Sequence, residues 1–242
     1  MVTSSTGGKK PTLSLILTVY NQYDNLKENL DDIYDTLKRD FGIGNFEIVV
    51  QDDGSTDKSM ELEQKFAKKS GVVLLKPKKN GGRGSALKVA IPHCKGEVIG
   101  FVDTDLAVPM RYVKPAVEKV LEGHQVVIGS KYAKGAQNIR KVSRLIISHG
   151  SNMLVQVVLG SKVTDHQCGF KFWSADYIKK YLHELRDDGW FFDTEMIVRA
   201  QRHGIMPYEL PVEWTESKRS TFKTTHITRF FSSVVKMRLG LM

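Results

Sequence analysis

The 242-residue chain has two cysteines, Cys94 and Cys168, too few for a disulfide scaffold. A reducing compartment is therefore the default, and neither cysteine has metal-ligand neighbours at useful spacing. The chain has no run of about 18 apolar residues, so nothing in it is expected to span a bilayer by itself. Its start, MVTSSTGGKK, carries no secretory pattern and reads as a polar, flexible tail. Internal repeats, low-complexity tracts and an obvious interdomain linker are all missing, which favours one large domain. Also missing are the GxxxxGK[ST] order of an NTPase phosphate loop and the GxGxxG of a dinucleotide fold.

What is present can bury a core: 41% of residues are hydrophobic and 26% charged. The formal net charge of +9 implies an anionic partner, whether nucleic acid, phosphates or a lipid surface, without choosing among them. Short apolar runs alternate with helical spacing. Strands are expected at 12–19, 46–51, 72–75, 97–102 and 125–129. Helices are expected around Leu26–Leu37, then at 58–69, 85–93 and 111–122. Strands separated by helices imply βαβ units and a mostly parallel sheet flanked by helices, a Rossmann-like α/β fold. Such a fold binds ligands at the carboxyl ends of its strands. After Gly129 the rhythm breaks into a basic, loop-like stretch. A helix at 143–159, another at 191–203 and a strand at 208–213 follow.

Polar motifs sit where the first four strands end. Tyr20-Asn21 follows the first and Asp52-Asp53-Gly54-Ser55-Thr56-Asp57 the second. Asn80-Gly81-Gly82-Arg83-Gly84-Ser85 follows the third, and Asp103-Thr104-Asp105 the fourth. In a parallel sheet these loops share one edge and line one crevice. Asp103 and Asp105, two residues apart in extended chain, point to the same face and repel unless a cation sits between them. Oxygen-only ligation suits Mg²⁺ or Mn²⁺, which accept substrate phosphates as further ligands. At Asp52 and Asp53, a helix cap and a carboxylate that accepts from a nucleobase are compatible readings. The glycine loop offers close backbone approach and one guanidinium, Arg83, to an anion at a helix N-terminus.

The succession SLILTVYN, EIVVQDDGSTD, NGGRGSALKVAI and VIGFVDTDLAVP resembles the inverting family 2 glycosyltransferases of GT-A fold. The later segments VVIGSKY, DHQCGFKFW, GWFFDTEMIVRA and YELPVEWTE resemble the branch that makes dolichyl- or polyprenyl-phosphate sugars, the mannose and glucose synthases. The resemblance runs from about Leu13 to Phe222. It implies that Asp103 and Asp105 serve the metal and the donor diphosphate. Thr18, Val19, Tyr20, Asn21, Asp52 or Asp53, Gly82, Arg83 and Gly84 would cradle the donor, and Lys131, Arg144 and Ser148 the acceptor phosphate. Three positions depart from the family pattern. Ala107 stands where mannose synthases place a Gln near the metal, Lys131 replaces the Arg of GSRY, and Lys218-Arg219-Ser220-Thr221 replaces Gly-x-SK. Asp193, in WFFDTE, is either a helix-start acid or a group pointing into the crevice. It would be the first candidate for a base if the acceptor were a sugar hydroxyl.

The expected function is thus sugar transfer from a nucleotide-sugar to dolichyl or polyprenyl phosphate, with UDP-glucose tilted slightly over GDP-mannose and UDP-GlcNAc also open. The rival readings are a GT-A transferase with a hydroxyl acceptor, a sugar nucleotidyltransferase and a non-catalytic basic module. No nucleic-acid partner is expected, because the acidic residues gather at the strand ends. His149, His166 and His226 lack ligand spacing, and Trp173, Trp190 and Trp214 read as packing residues. The expected divisions are a tail at 1–10, the transferase domain at 11–223 and an amphipathic helix at 224–242. In that helix Ile227, Phe230, Phe231, Val234 and Val235 form a stripe beside Arg229, Lys236 and Arg238. Such a helix would either dock on the core or lie on a membrane surface, the second placing the protein peripherally on a cytoplasmic face.

Overall fold

The computed structural model describes residues 10–75, 79–139, 142–215 and 225–242, without the side chains of 138–147 and 225–227. The tail at 1–9 and the Lys218–Thr221 segment lie outside this description, as do the side chains of Arg144, His226 and Ile227.

A seven-stranded sheet forms the centre, in the order β3-β2-β1-β4-β7-β5-β8. Its strands are β1 (Leu13–Val19), β2 (Phe46–Asp52), β3 (Val72–Leu74), β4 (Val98–Val102), β5 (Val126–Ser130), β7 (Phe170–Ser174) and β8 (Tyr208–Pro211). All pairings are parallel except those of β7, which runs antiparallel between β4 and β5. A two-stranded parallel ribbon pairs β6 (Gln137–Ile139) with β9 (Glu213–Thr215). The helices are α1 (Tyr23–Phe41), α2 (Ser59–Phe66), α3 (Arg83–Ala90), α4 (Val113–Leu121), α5 (Val142–Leu159), α6 (Ala175–Tyr181), α7 (Phe192–Arg202) and α8 (Thr225–Arg238).

Side-chain alternation along β1 explains the layering. Leu13, Leu15, Leu17 and Val19 face the α1 and α4 side, whereas Ile16 faces α3 and α7. Burial on both faces is why these strands read as near-continuous apolar runs. In α1, Leu26, Leu30, Ile33, Tyr34 and Leu37 are the buried stripe, at the expected helical spacing.

Two expectations change. The strand β7 and helix α6 were not foreseen, because the sequence before Phe170 is polar and β7 itself carries a lysine between aromatics. The expected stripe of α8 splits. Phe230, Val234 and Met237 pack with Val155, Phe191 and Val198, while Phe231 and Val235 face outward. Helix α8 is thus docked on α5 and α7.

Candidate active site

The carboxyl ends of β1, β2, β4 and β5 meet at one sheet edge, and the antiparallel β7 begins there. The loops after β1 and β2 are tied together by Asn21. Its φ of 52° is a left-handed conformation that Asn tolerates. Its Oδ1 accepts from the Thr56 and Asp57 amides at 2.8 and 3.3 Å, and its own amide donates to Ser55 Oγ at 2.9 Å. Asp52 Oδ1 accepts from the Gly54 and Ser55 amides at 2.7 and 2.8 Å. Asp53 accepts from the Gly81 and Gly82 amides at 3.0 and 2.8 Å. Both carboxylates therefore shape loops from within. Val19 has its side chain in the core and offers only backbone to the crevice, its carbonyl accepting from the Asp53 amide. Thr18 is half-buried and Tyr20 exposed.

The glycines of the third loop, expected to cradle the donor, also pack closely against the chain. A Cβ on Gly82 would lie 2.5 Å from the Asp188 carbonyl oxygen, and one on Gly84 2.6 Å from that of Asp187. Their bareness lets the loop press against segment 187–189. Arg83 is held by two rings and two carboxylates. Its guanidinium lies between the rings of Phe101 and Trp190, 4.5 and 5.0 Å from their centroids. It bridges Asp103 at 3.1 Å and Asp193 at 3.5 Å. Trp190 is 43% exposed and packs on Arg83 at the surface.

Asp193 meets a second cation, Lys171, at 3.1 Å. Alternation in β7 turns Phe170 and Phe172 to one face and sends Lys171 with Trp173 to the other, toward α7. Lys171 is fully buried and also donates to the Cys168 carbonyl. Sequence reasoning missed it, although a lone lysine inside FKFW was the available signal. The result is a line of alternating charge, Lys171–Asp193–Arg83–Asp103. Burial opposes the charge on Arg83, but Asp103 and then Asp193 outweigh it and raise its pKa. Burial outweighs Arg83 at Asp103, and with the charges of Asp105 and Asp193 pushes that carboxyl up to about 6. Gly169 is indispensable to this packing. A Cβ there would lie 1.7 Å from Asp103 Oδ2, and its carbonyl accepts from the Asp103 amide at 3.0 Å.

Asp103 and Asp105 sit on a tight turn with Leu106 at φ 48° and the Ala107 amide donating to Asp105 Oδ1 at 3.2 Å. Among the described residues no group of three or more His, Cys, Asp or Glu forms a ready-made metal cage. Two carboxylates without a cage fit Mg²⁺ or Mn²⁺, which take their remaining ligands from substrate phosphates and water. Asp103, Asp105 and Asp193 outnumber Arg83 and Lys171 along this line.

Lys131, expected to hold the acceptor phosphate, is paired with Asp165. Its ammonium is buried and bonded to both Asp165 oxygens at 2.8 and 2.7 Å. Burial opposes the Asp165 charge, but Lys131 overrides it and lowers the carboxyl's pKa. Ser148, on α5, is buried and its Oγ accepts from the Tyr132 hydroxyl at 2.8 Å. His166 is structural, as expected: Nδ1 meets Asn152 and Nε2 meets Ser161, at 2.9 and 2.8 Å. Glu195 takes the structural role open to either acid of α7, accepting from the Arg186 and Asp187 amides and pairing with Arg199.

The family model described as glycosyl transferase family 2 matches residues 14–182. This chain belongs to that family. Dolichyl-phosphate beta-glucosyltransferase ALG5A of Trichomonas vaginalis is 29% identical over 236 residues, covering 94% of this chain and 73% of its own. The Homo sapiens dolichyl-phosphate beta-glucosyltransferase is 30% identical over 227 residues, 86% of this chain and 68% of its own. Glycosyltransferase AglD of Haloferax volcanii is 33% identical over 204 residues, 84% of this chain, which spans only 33% of that protein. Two solved structures share the architecture. Mannosyltransferase PcManGT of Pyrobaculum calidifontis, solved with GDP-Man and Mn²⁺, has a TM-score of 0.67 at 18% identity, over 94% of this chain and 65% of its own. Glucosyl-3-phosphoglycerate synthase of Mycobacterium tuberculosis, solved with Mn²⁺ and UDP-glucose, has a TM-score of 0.67 at 18% identity, over 95% and 79%. At such identity the likeness establishes the GT-A fold, with the mostly parallel sheet expected from the sequence.

Proposed function

We propose that the protein transfers glucose, with inversion, from UDP-glucose to the phosphate of dolichol or a similar polyprenol. The observation that carries this reading is the state of Asp193. It is 1% exposed and committed to Arg83 and Lys171, so it is poorly placed to take a proton from an acceptor hydroxyl. A lipid monophosphate needs no such base. Its second pKa is about 6, so an ionised oxygen can attack the anomeric carbon directly. The dolichyl-phosphate relatives support the same acceptor, and their glucosyl specificity supports UDP-glucose.

Asp103 and Asp105 would hold Mg²⁺ or Mn²⁺, and the ion would supply positive charge to the departing nucleoside diphosphate. The chain's own residues do the rest. Arg83, pinned between Phe101 and Trp190, keeps the Asp103 carboxylate oriented. Asn21, Asp52 and Asp53 preset the loops around the nucleoside, so little ordering remains to be done on binding. Lys131 acts by fixing Asp165 and the segment leading to β7, while Ser148 and Arg144 on α5 remain the acceptor-phosphate candidates.

The acceptor reading calls for a membrane surface. No described helix is long and apolar enough to cross a membrane. The outward side chains Phe231, Val235, Leu239 and Leu241, with Arg229, Lys236 and Arg238 exposed on the same helix and its end, suit a headgroup interface. The test is incubation with labelled nucleotide sugars, dolichyl phosphate and Mn²⁺ or Mg²⁺. The expected result is label moving to the lipid from UDP-glucose, and transfer only from GDP-mannose would overturn the donor assignment.

A further inference from the structure

Beneath the loop that follows β2 lies a buried carboxyl group that the chemistry above does not use. Glu63 of α2 is 1% exposed, and neither of its carboxylate oxygens has a hydrogen-bond partner. Its carboxyl interacts with that of Asp52, which is 0% exposed and whose Oδ2 is equally without a partner. The other Asp52 oxygen accepts from the Gly54 and Ser55 amides and sets the path of the loop. Two buried carboxylates cannot both stay ionised side by side, and buried oxygens without a donor are costly. One proton between them removes both penalties.

We infer that Glu63 is a positioning residue for the nucleotide-binding loop: it keeps its proton at neutral pH and donates it to Asp52 Oδ2. The shared proton locks the Asp52 carboxylate with its other oxygen toward Gly54 and Ser55. Through Ser55, Thr56 and Asp57 the same loop is bound to Asn21, so the lock reaches both halves of the cradle. The charged groups facing Glu63 are Asp52 from β2 and Asp57 from the turn before α2, both acidic. Burial first, and the Asp52 charge second, push the Glu63 carboxyl up to about 8. The proton is therefore retained through the neutral range and lost in mild alkali.

The role in nucleotide binding rests on the proposed function, but the proton sharing does not, and the experiment separates them. Thermal melting of the full chain between pH 5.5 and 8.5 is compared for wild type and Glu63→Gln, whose amide N–H replaces the O–H. A carboxyl with raised pKa in the folded state holds a proton that the unfolded chain releases, so stability falls as pH climbs toward 8. The expected result is a wild-type Tm that declines across this range more steeply than that of Glu63→Gln. A carboxyl ¹³C titration of wild type, with the Glu63 signal identified by its loss in the variant, should show a midpoint well above 6. A parallel pair of melting curves, or a Glu63 midpoint near 4.5, overturns the shared proton. For the positioning role, UDP binding with Mn²⁺ should survive in Glu63→Gln and weaken at least tenfold in Glu63→Leu. Equal affinity in the two variants overturns the positioning role whatever the acceptor proves to be.

Discussion

Replacing Gly169 by alanine is the sharpest probe of the charged line through the site. The added Cβ would stand 1.7 Å from Asp103 Oδ2, 2.3 Å from Asp103 Cγ and 2.8 Å from Arg83 Nη2. Ordinary contact needs about 3.5 Å, so the carboxylate must retreat by well over 1 Å. It has little room to do so, because its amide is bonded to the Gly169 carbonyl and Phe170 pairs with Val102 in the sheet. Overpacking of this kind costs about 1–3 kcal/mol, which for a chain of this size lowers Tm by about 2–12 °C. The cost to the reaction is larger, since a shift of about 1 Å in a reacting array removes about 100-fold of rate. The assay is transfer of label from UDP-glucose, measured beside a melting curve. A folded Gly169→Ala protein that transfers at the wild-type rate would refute the claim that Asp103 works from the position that Arg83 and Gly169 define.

Asp105→Ala should abolish transfer and metal-dependent UDP binding with the fold intact, and Asp103→Ala should be nearly as severe; calorimetry with and without Mn²⁺ checks both. Lys131→Met leaves Asp165 buried without its cation, which costs about 3–5 kcal/mol of stability in denaturant melts; reduced use of dolichyl phosphate with unchanged stability would instead make Lys131 an acceptor ligand. On α8, Phe230→Ala should cost about 3–5 kcal/mol in the same melts, whereas Phe231→Asp should spare stability and lower binding to anionic liposomes in sedimentation. Burial lowers the His166 pKa to about 4. Because the folded protein resists a proton that the unfolded chain accepts near 6.5, stability falls as pH drops from 6.5 toward 4, by about 3 kcal/mol. His166→Gln should flatten that part of the curve.

The parallel half of the sheet was legible because β1, β2 and β4 are buried on both faces and read as near-continuous apolar runs between amphipathic helices. The crevice was legible for a topological reason: polar motifs following successive parallel strands must share an edge. What could not be read was partnership. Nothing near Arg83 in sequence announces that its guanidinium joins Asp103 to Asp193, since the three come from α3, the end of β4 and α7. Lys171 was hidden because a lysine in a strand normally marks a solvated face, and here β7 is central. The split of the α8 stripe was invisible for a similar reason: periodicity places Phe230 and Phe231 beside one another, and only packing on α5 and α7 decides which turns inward.

The central claim is that the acceptor supplies its own ionised oxygen. It is tested by offering the protein UDP-glucose and Mn²⁺ with dolichyl phosphate in one vesicle preparation and dolichol, its alcohol, in another. The account predicts glucosyl lipid from the phosphate with the β configuration and none from the alcohol at neutral pH. Comparable transfer to the alcohol would contradict it, and would return Asp193 to the role of a base.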